Sequence, residues 1–199
     1  MQQIQFLIDQ NYKNRKTNEF RRLFHGRGNN YKGYKDITID LIEDVVLLTI
    51  FKPIVYEDEL LKYLQKRFVQ NTIVVQKRYE KQSQVIQGSI TKQLYAIENG
   101  MRFSLNLTNN QNIGFFGDMI QGRSFLRKIS RNKNILNLFS YTCSLSVAAG
   151  FKANQVVNVD ISKSALSIGR TNHQINQIDT KKIKFCQKDQ KSQRFSISQ

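Results

Sequence analysis

Apolar and polar positions recur along most of the chain with a legible period. Residues 18–24 alternate weakly and predict a strand that stops at His25-Gly26-Arg27-Gly28, where two glycines mark a turn. Residues 37–42 set Ile37, Ile39 and Leu41 against Thr38 and Asp40, the period of two expected of a half-buried strand. Residues 45–51 form a continuous β-rich run, and Glu43-Asp44 before it suggests a hairpin. Over 56–69 the spacing changes to that of a helix. Leu60, Leu61, Leu64 and Phe68 fall on one face, while Asp58 and Lys62 pair at i,i+4 on the other. A strand follows at 72–75, and the polar stretch 80–93 reads as a loop or connector. Residues 93–97 and 101–107 flank Glu98-Asn99-Gly100, and Asn-Gly between two strands favours a tight primed turn. A helix is expected over 117–129, with Met119, Ile120, Phe125 and Leu126 as its apolar contacts.

The last third changes character. Residues 135–139 read as a buried-type strand, followed by the turn Ser140-Tyr141-Thr142-Cys143 and a small-residue helix over 144–151. A second buried strand at 155–159 is closed by Asp160. A helix over 163–177 carries Ser162 as its N-cap and Ala165, Leu166, Ile168 and Ile175 as apolar positions, and a third strand lies at 182–186. Strand, helix, strand, helix, strand is the start of a parallel, doubly wound sheet. The fold class is therefore α/β, with a small α+β domain preceding the parallel sheet. The expected division is an N-terminal extension (1–17), a small α+β domain (18–93), a β-hairpin connector (94–112) and the sheet domain (113–199).

Charge narrows the partners. The 199 residues hold 31 Lys+Arg against 15 Asp+Glu, a net charge of +16, and seven of the acids lie between Asp36 and Glu59. The remainder is almost uniformly basic. Lys13, Arg15, Lys16, Arg21, Arg22, Arg27, Lys32 and Lys35 are interleaved with Phe20, Phe24, Tyr31 and Tyr34. Further basic blocks run from Arg123 to Lys133 and over 181–194. Cations mixed with aromatic rings suit RNA or DNA, because phosphates are neutralised while bases stack. No run of about 18 apolar residues exists, so no membrane span is expected. The N-terminus lacks the charge and cleavage pattern of a secretion signal. Cys143 and Cys186 cannot build a disulfide framework, and no further ligands gather with them for a metal. The compartment reads as cytoplasm. Glutamine and asparagine are frequent but scattered, and read as compositional drift.

In doubly wound sheets ligands bind at the carboxyl ends of the strands. A carboxylate about twenty residues after the first loop, at the end of the second strand, suits a ribose diol, whose two donors it can both accept. Asp160 stands there. The first loop lacks the Gly-x-Gly-x-x-Gly that lets a pyrophosphate approach the backbone, so a nucleoside without pyrophosphate fits better, which points to S-adenosyl-L-methionine (SAM).

The segments Asn137-Leu138-Phe139-Ser140-Tyr141-Thr142-Cys143-Ser144-Leu145-Ser146-Val147-Ala148-Ala149 and Val157-Asn158-Val159-Asp160-Ile161-Ser162-Lys163 resemble the SAM site of bacterial large-subunit ribosomal-RNA methyltransferases. These are class I enzymes that modify cytosine C5 or guanine N7. Upstream, Glu98-Asn99-Gly100-Met101-Arg102-Phe103 and Gln111-Asn112-Ile113-Gly114-Phe115-Phe116-Gly117-Asp118, with Arg123, are similar to that family's hairpin and preceding cofactor loop. Arg22-Leu23-Phe24-His25-Gly26-Arg27-Gly28 resembles the small central domain of one branch. The resemblance implies a Rossmann-like sheet, SAM as cofactor and ribosomal RNA as partner; the exposed edge that three parallel strands would leave predicts marginal stability or a partner, for which a homodimer is a candidate. It implies that Gln111, Phe116, Asp118 and Arg123 line the far side of the cofactor, Arg123 meeting its carboxylate. Asn137, Phe139 and Tyr141 would wall the methionine moiety, Asp160 would hold the ribose, and Asp189 would accept from the adenine amino group. Two positions depart from the pattern: Cys143 stands where many relatives carry glycine, and Ile113 replaces a commonly polar residue.

The family's sheet has seven strands, and its fourth is followed by an Asp-Pro-Pro loop that positions the base. Pro53 is the only proline here. That loop is therefore absent, no catalytic residue is assigned, and the chain reads as the first half of such a sheet domain, truncated and impaired in turnover, or as a catalytically inactive RNA-binding fragment.

Overall fold

A computed structural model describes residues 1–14, 18–28, 30–108 and 112–188. The chain separates into two compact units, Met1–Gly100 with Leu105–Ile113, and Met101–Ser104 with Gly114–Gln199.

The first unit is built on five strands in the order β1-β2-β3-β4-β5: β1 (Arg21–His25), β2 (Ile37–Ile42), β3 (Val45–Ile50), β4 (Thr72–Lys77) and β5 (Gln82–Gln87). Glu43, at φ 51°, helps turn β2 into β3, so that Ile42 faces Val45. The β3–β4 pair is parallel and needs a crossover, which α2 (Glu57–Arg67) supplies. Glu57, Asp58 and Glu59 in its first turn and Lys66 and Arg67 in its last complement the helix dipole. Its Leu60 and Leu64, with Phe68, pack with Ile39, Leu48 and Ile73 in the core.

Two elements of this unit depart from the sequence expectation. The N-terminal stretch is a helix, α1 (Gln2–Lys13), and not a mere extension. Ile4 and Ile8, one turn apart, are fully buried in the same core; Arg67 pairs with Asp9, and the Tyr63 hydroxyl donates to the Gln5 carbonyl at 3.2 Å. Glutamine is a good helix former, so a Gln-rich segment with apolar residues at i,i+4 needs only a surface to pack on. The second departure is β5, which falls in the stretch read as a connector. Gln-Ser-Gln-Val-Ile-Gln pairs antiparallel with β4 through a turn at Lys81, φ 56°. Among the described residues it pairs on one side alone, and its side chains are half-exposed or exposed, so its polar sequence carries no strand signal.

The strands β6 (Leu94–Glu98) and β7 (Met101–Leu105) form a two-stranded sheet turned by Asn99 and Gly100, both at positive φ.

The second unit holds a parallel sheet in the order β10-β9-β8: β8 (Asn134–Leu138), β9 (Gln155–Asp160) and β10 (Ile183–Gln187). Between them run α4 (Ser144–Gly150) and α5 (Lys163–Ile175), with α3 (Ile120–Ile129) ahead of β8. Ser162 caps α5, accepting from the Ala165 amide at 3.1 Å. The strands advance in one direction across the sheet, and right-handed crossovers then place α4 and α5 on the same face. Val156 and Asn158 point to that face and are fully buried. On the other, Leu136 is 51% exposed and Leu138 39%. The buried-type strand expected at 135–139 is thus an edge strand ending at Leu138, with one face covered. The open face holds an apolar hollow of about 380 Å³, lined in part by Leu136, Val157, Val159 and Cys186. Among the described residues, none of the sequence-predicted cofactor positions lines it.

Candidate functional site

The carboxyl ends of β8 and β9 meet at the loop that opens α4. Phe139, Tyr141 and Cys143 alternate along it and all have left-handed backbones, at φ 52°, 48° and 62°. For residues with a Cβ this costs about 1–2 kcal/mol each, so the surroundings must impose it. Asp160, at the end of β9, is one of the groups that do. Its Oδ2 accepts the Tyr141 amide at 2.7 Å and its Oδ1 the Ser162 amide at 2.8 Å. The Ser140 amide donates to the Val159 carbonyl at 3.0 Å.

A carboxylate offers about four acceptor directions, and two are used here. The remaining two match the paired donors of a vicinal diol. Asp160 is half-buried, so it reaches solvent while its geometry is fixed by backbone. Two of the aromatic residues expected at the site, Phe139 and Phe116, are exposed. The Phe139 ring is 74% exposed, and the Phe116 ring, 45% exposed, is 5.4 Å from that of Tyr141. On the donor set and the exposed rings, the residues present fit a nucleoside cofactor.

The other expected positions divide. Asn137 lies in β8, where its amide donates to the Asn158 side chain at 2.9 Å. Asp118 is exposed in the short turn Gly117–Met119. Arg123 is fully buried: Nη1 donates to the Phe116 carbonyl at 2.9 Å, and the guanidinium lies 4.3 Å from the Phe115 ring centre and 5.6 Å from that of Phe103. Here it presents no surface to a cofactor carboxylate and instead ties the Phe116 loop to α3. Gln111 and Asp189 lie outside the described residues. Cys143 is buried, which pushes its thiol up to about 12 and leaves it a poor nucleophile.

Sequence reasoning missed the residues behind this loop. Thr142 donates its hydroxyl to the Gly114 carbonyl at 2.6 Å, joining the loop to the segment that leads to Phe116. On α5, Gly169, Asn172 and His173 are buried at the spacing of a core face. His173 sits between the Gly169 carbonyl, 2.7 Å from Nδ1, and the Ser146 hydroxyl, 2.8 Å from Nε2. Polar residues continuing the stripe of Ala165 and Leu166 were the available signal.

Residues 21–194 match the family model described as S-adenosylmethionine-dependent methyltransferase. The chain belongs to this family. Over 93 residues it is 37% identical to "Ribosomal RNA large subunit methyltransferase I" of Shigella dysenteriae, a match that covers 46% of this chain and 23% of that protein. A solved structure described as a SAM-dependent methyltransferase from Streptococcus mutans superposes with a TM-score of 0.83 at 26% identity, covering 94% of this chain and 51% of that one. A second solved methyltransferase, complexed with SAH, shares the fold at a TM-score of 0.80 and 24% identity, over 94% of this chain and 52% of that one. The chain thus spans about a quarter of the length of the curated methyltransferases it matches and about half that of these solved ones. The α/β class and the Rossmann-like winding of the second unit agree with the sequence expectation. Among the described residues no helix is long and apolar enough to cross a membrane.

Proposed function

We propose that this chain provides the cofactor-binding part of a SAM-dependent methyltransferase whose substrate is ribosomal RNA, working in the cytoplasm. The observation that carries the reading is Asp160, a half-buried carboxylate at the end of β9 with two acceptor directions held by backbone amides and two left for a ribose. When bound, SAM supplies an electrophilic methyl group. The chain's own contribution is orientation. Asp160 fixes the ribose, and Phe139, Tyr141 and Phe116 exclude water from the methionine side. Asn137 and Asp118 line the same pocket, Gln111 closes its far side, and Asp189 accepts from the adenine amino group. Arg123 holds the Phe116 loop.

The first unit, with Arg27 and Arg78 stacked over the Phe51 ring at 4.4 and 5.5 Å, contributes a cationic, aromatic surface for RNA. In the methyltransferases this chain resembles, the base is positioned by an Asp-Pro-Pro loop. We assign these 199 residues cofactor and RNA binding. Among the described residues β8 pairs with β9 alone, and the exposed Leu136 and Leu138 beside that edge support pairing with a second copy.

Calorimetric titration with S-adenosylhomocysteine tests the cofactor claim. Saturable binding is expected, weakened at least tenfold in Asp160→Ala, since hydrogen bonds to a charged acceptor contribute about 1.5–3 kcal/mol each. A wild-type Kd weaker than about 1 mM, or an Asp160→Ala variant that binds as well as wild type, overturns it.

A further inference from the structure

We propose that Asn172 is a positioning residue of the cofactor site, holding the Phe139–Tyr141–Cys143 loop in its left-handed conformation from behind. The inference rests on the cofactor reading above and goes beyond it. Asn172 is fully buried in α5, one turn after Gly169. Its Nδ2 donates to the Thr142 carbonyl at 2.9 Å, and its Oδ1 accepts the Ser104 amide of β7 at 2.8 Å. Both ends of the amide are therefore spent on backbone. Thr142 lies between two left-handed residues, and its hydroxyl grips the Gly114 carbonyl. The carbonyl that Asn172 holds thus belongs to the residue that joins the two cofactor loops.

The position opposite supplies a second anchor. The Asp160 carboxylate pulls the Tyr141 amide from the ligand side, while Asn172 holds the Thr142 carbonyl from the helix side. A residue kept at positive φ against its own preference needs such constraint on both flanks. Hydrophobic packing cannot supply it, because the loop's polar groups would be buried unpaired.

A neighbour provides the control. Asn176, one turn further, makes a two-way pair with Arg102 of β7: the Arg102 amide donates to its Oδ1 at 2.9 Å, and its Nδ2 donates to the Arg102 carbonyl at 2.6 Å. The same Nδ2 also reaches the Asn172 carbonyl at 2.7 Å, within α5 and away from residues 139–143. Both asparagines anchor β7, but it is Asn172 that also holds the loop.

The test compares Asn172→Ala, Asn172→Asp and Asn176→Ala in the full chain by amide hydrogen exchange of residues 139–145 without ligand, and by titration with S-adenosylhomocysteine. Aspartate keeps the acceptor for Ser104 and turns an anion on the Thr142 carbonyl. Both Asn172 variants are expected to speed exchange in 139–145 at least tenfold and to weaken binding at least tenfold. Asn176→Ala is expected to lower the melting temperature while leaving both quantities within twofold. If Asn172→Ala does not fold, Asn172→Ser takes its place. Unchanged exchange in the Asn172 variants, or equal loop exposure in Asn176→Ala, overturns the proposal. A wild-type chain that does not bind S-adenosylhomocysteine overturns the cofactor reading instead, and the exchange measurement then decides the positioning role alone.

Discussion

Replacing Gly169 by alanine probes the packing on which the left-handed loop at 139–143 stands. A Cβ at position 169 would lie 3.0 Å from the Cβ of Cys143 and closer still to its Sγ, with the Thr142 carbonyl carbon at 3.4 Å. Rotating the thiol away relieves only the sulfur. The Cβ clash persists, because Cys143 is fixed at φ 62° with its amide bonded to the Ser140 carbonyl at 2.7 Å. Either the loop or α5 must move. Overpacking of a well-filled interior costs about 1–3 kcal/mol, and rigid backbone on both sides puts this case near the top of that range. Alanine in a helix interior returns about 1 kcal/mol relative to glycine. The net expectation is a loss of about 2 kcal/mol, or roughly 8–16 °C in the melting temperature of a unit this small.

The partner substitution makes the reasoning refutable. Cys143→Gly deletes both clashing atoms and accepts a positive φ without strain. In that background Gly169→Ala should be neutral, or stabilising by up to about 1 kcal/mol through helix propensity alone. Urea unfolding of the four proteins, followed by circular dichroism, should then give a coupling of about 2–3 kcal/mol. Additive effects, within about 0.5 kcal/mol, would show that Cys143 and Gly169 do not press on one another and would sink the argument.

Three further outcomes follow from other parts of the molecule. Joint replacement of Arg27 and Arg78 by alanine should weaken RNA binding and reduce the slope of log K against log salt by roughly 1 for each phosphate left without its cation; an unchanged slope in filter binding places the RNA elsewhere. His173 is buried between Ser146 and Gly169, and burial lowers its pKa, so below about pH 6.5 the unfolded chain binds the proton that the folded one refuses. Stability should therefore fall with pH below that point, by at most about 1.4 kcal/mol per unit, and His173→Gln should flatten the profile in urea unfolding at pH 7.5 and 5.5; parallel losses in both proteins refute it. Leu136→Lys, on the open face of β8, should leave stability within about 0.5 kcal/mol and reduce self-association in light scattering, whereas a large stability loss would mean that the face is covered within the monomer.

The parts of the fold that can be read from the sequence are those where burial is one-sided and regular. Ile37 to Ile42 and the Leu60, Leu64 and Phe68 stripe announce themselves because their apolar residues keep the period of the element they build. The strand β5 and the helix α1 do not, for opposite reasons: β5 has too few apolar residues, while the Gln and Asn of α1 conceal Ile4 and Ile8. The strand β8 reads as buried because Ile135, Leu136 and Leu138 are apolar, yet apolarity does not tell whether a partner covers both faces. Asp160 is legible because a strand-end carboxylate has a chemical reason to be there. Asn172 is not, since a buried amide and a surface amide look alike in a sequence.

That last ambiguity bears on the composition as a whole. Asparagine and glutamine carry one donor group and one acceptor, the same pair as a peptide unit, so they can complete backbone that no strand or helix completes. Many do so here. Asn11 donates to the Leu23 carbonyl at 2.8 Å, Gln87 to the Phe68 and Asn71 carbonyls at 2.9 Å, and Gln93 to the Leu105 carbonyl at 2.8 Å. Asn172 and Asn176 do the same for β7 and the cofactor loop. The abundance that reads as drift is, at these positions, a set of backbone surrogates where segments meet without a ladder. Strained backbone survives where independent constraints agree on it. In this chain one carboxylate and one carboxamide constrain the left-handed loop, together with the Thr142 hydroxyl on the Gly114 carbonyl and the Ser140 amide on the Val159 carbonyl. The carboxylate and the carboxamide each hold a peptide group of this loop, and neither can be exchanged for an apolar residue of similar size without leaving that group unpaired.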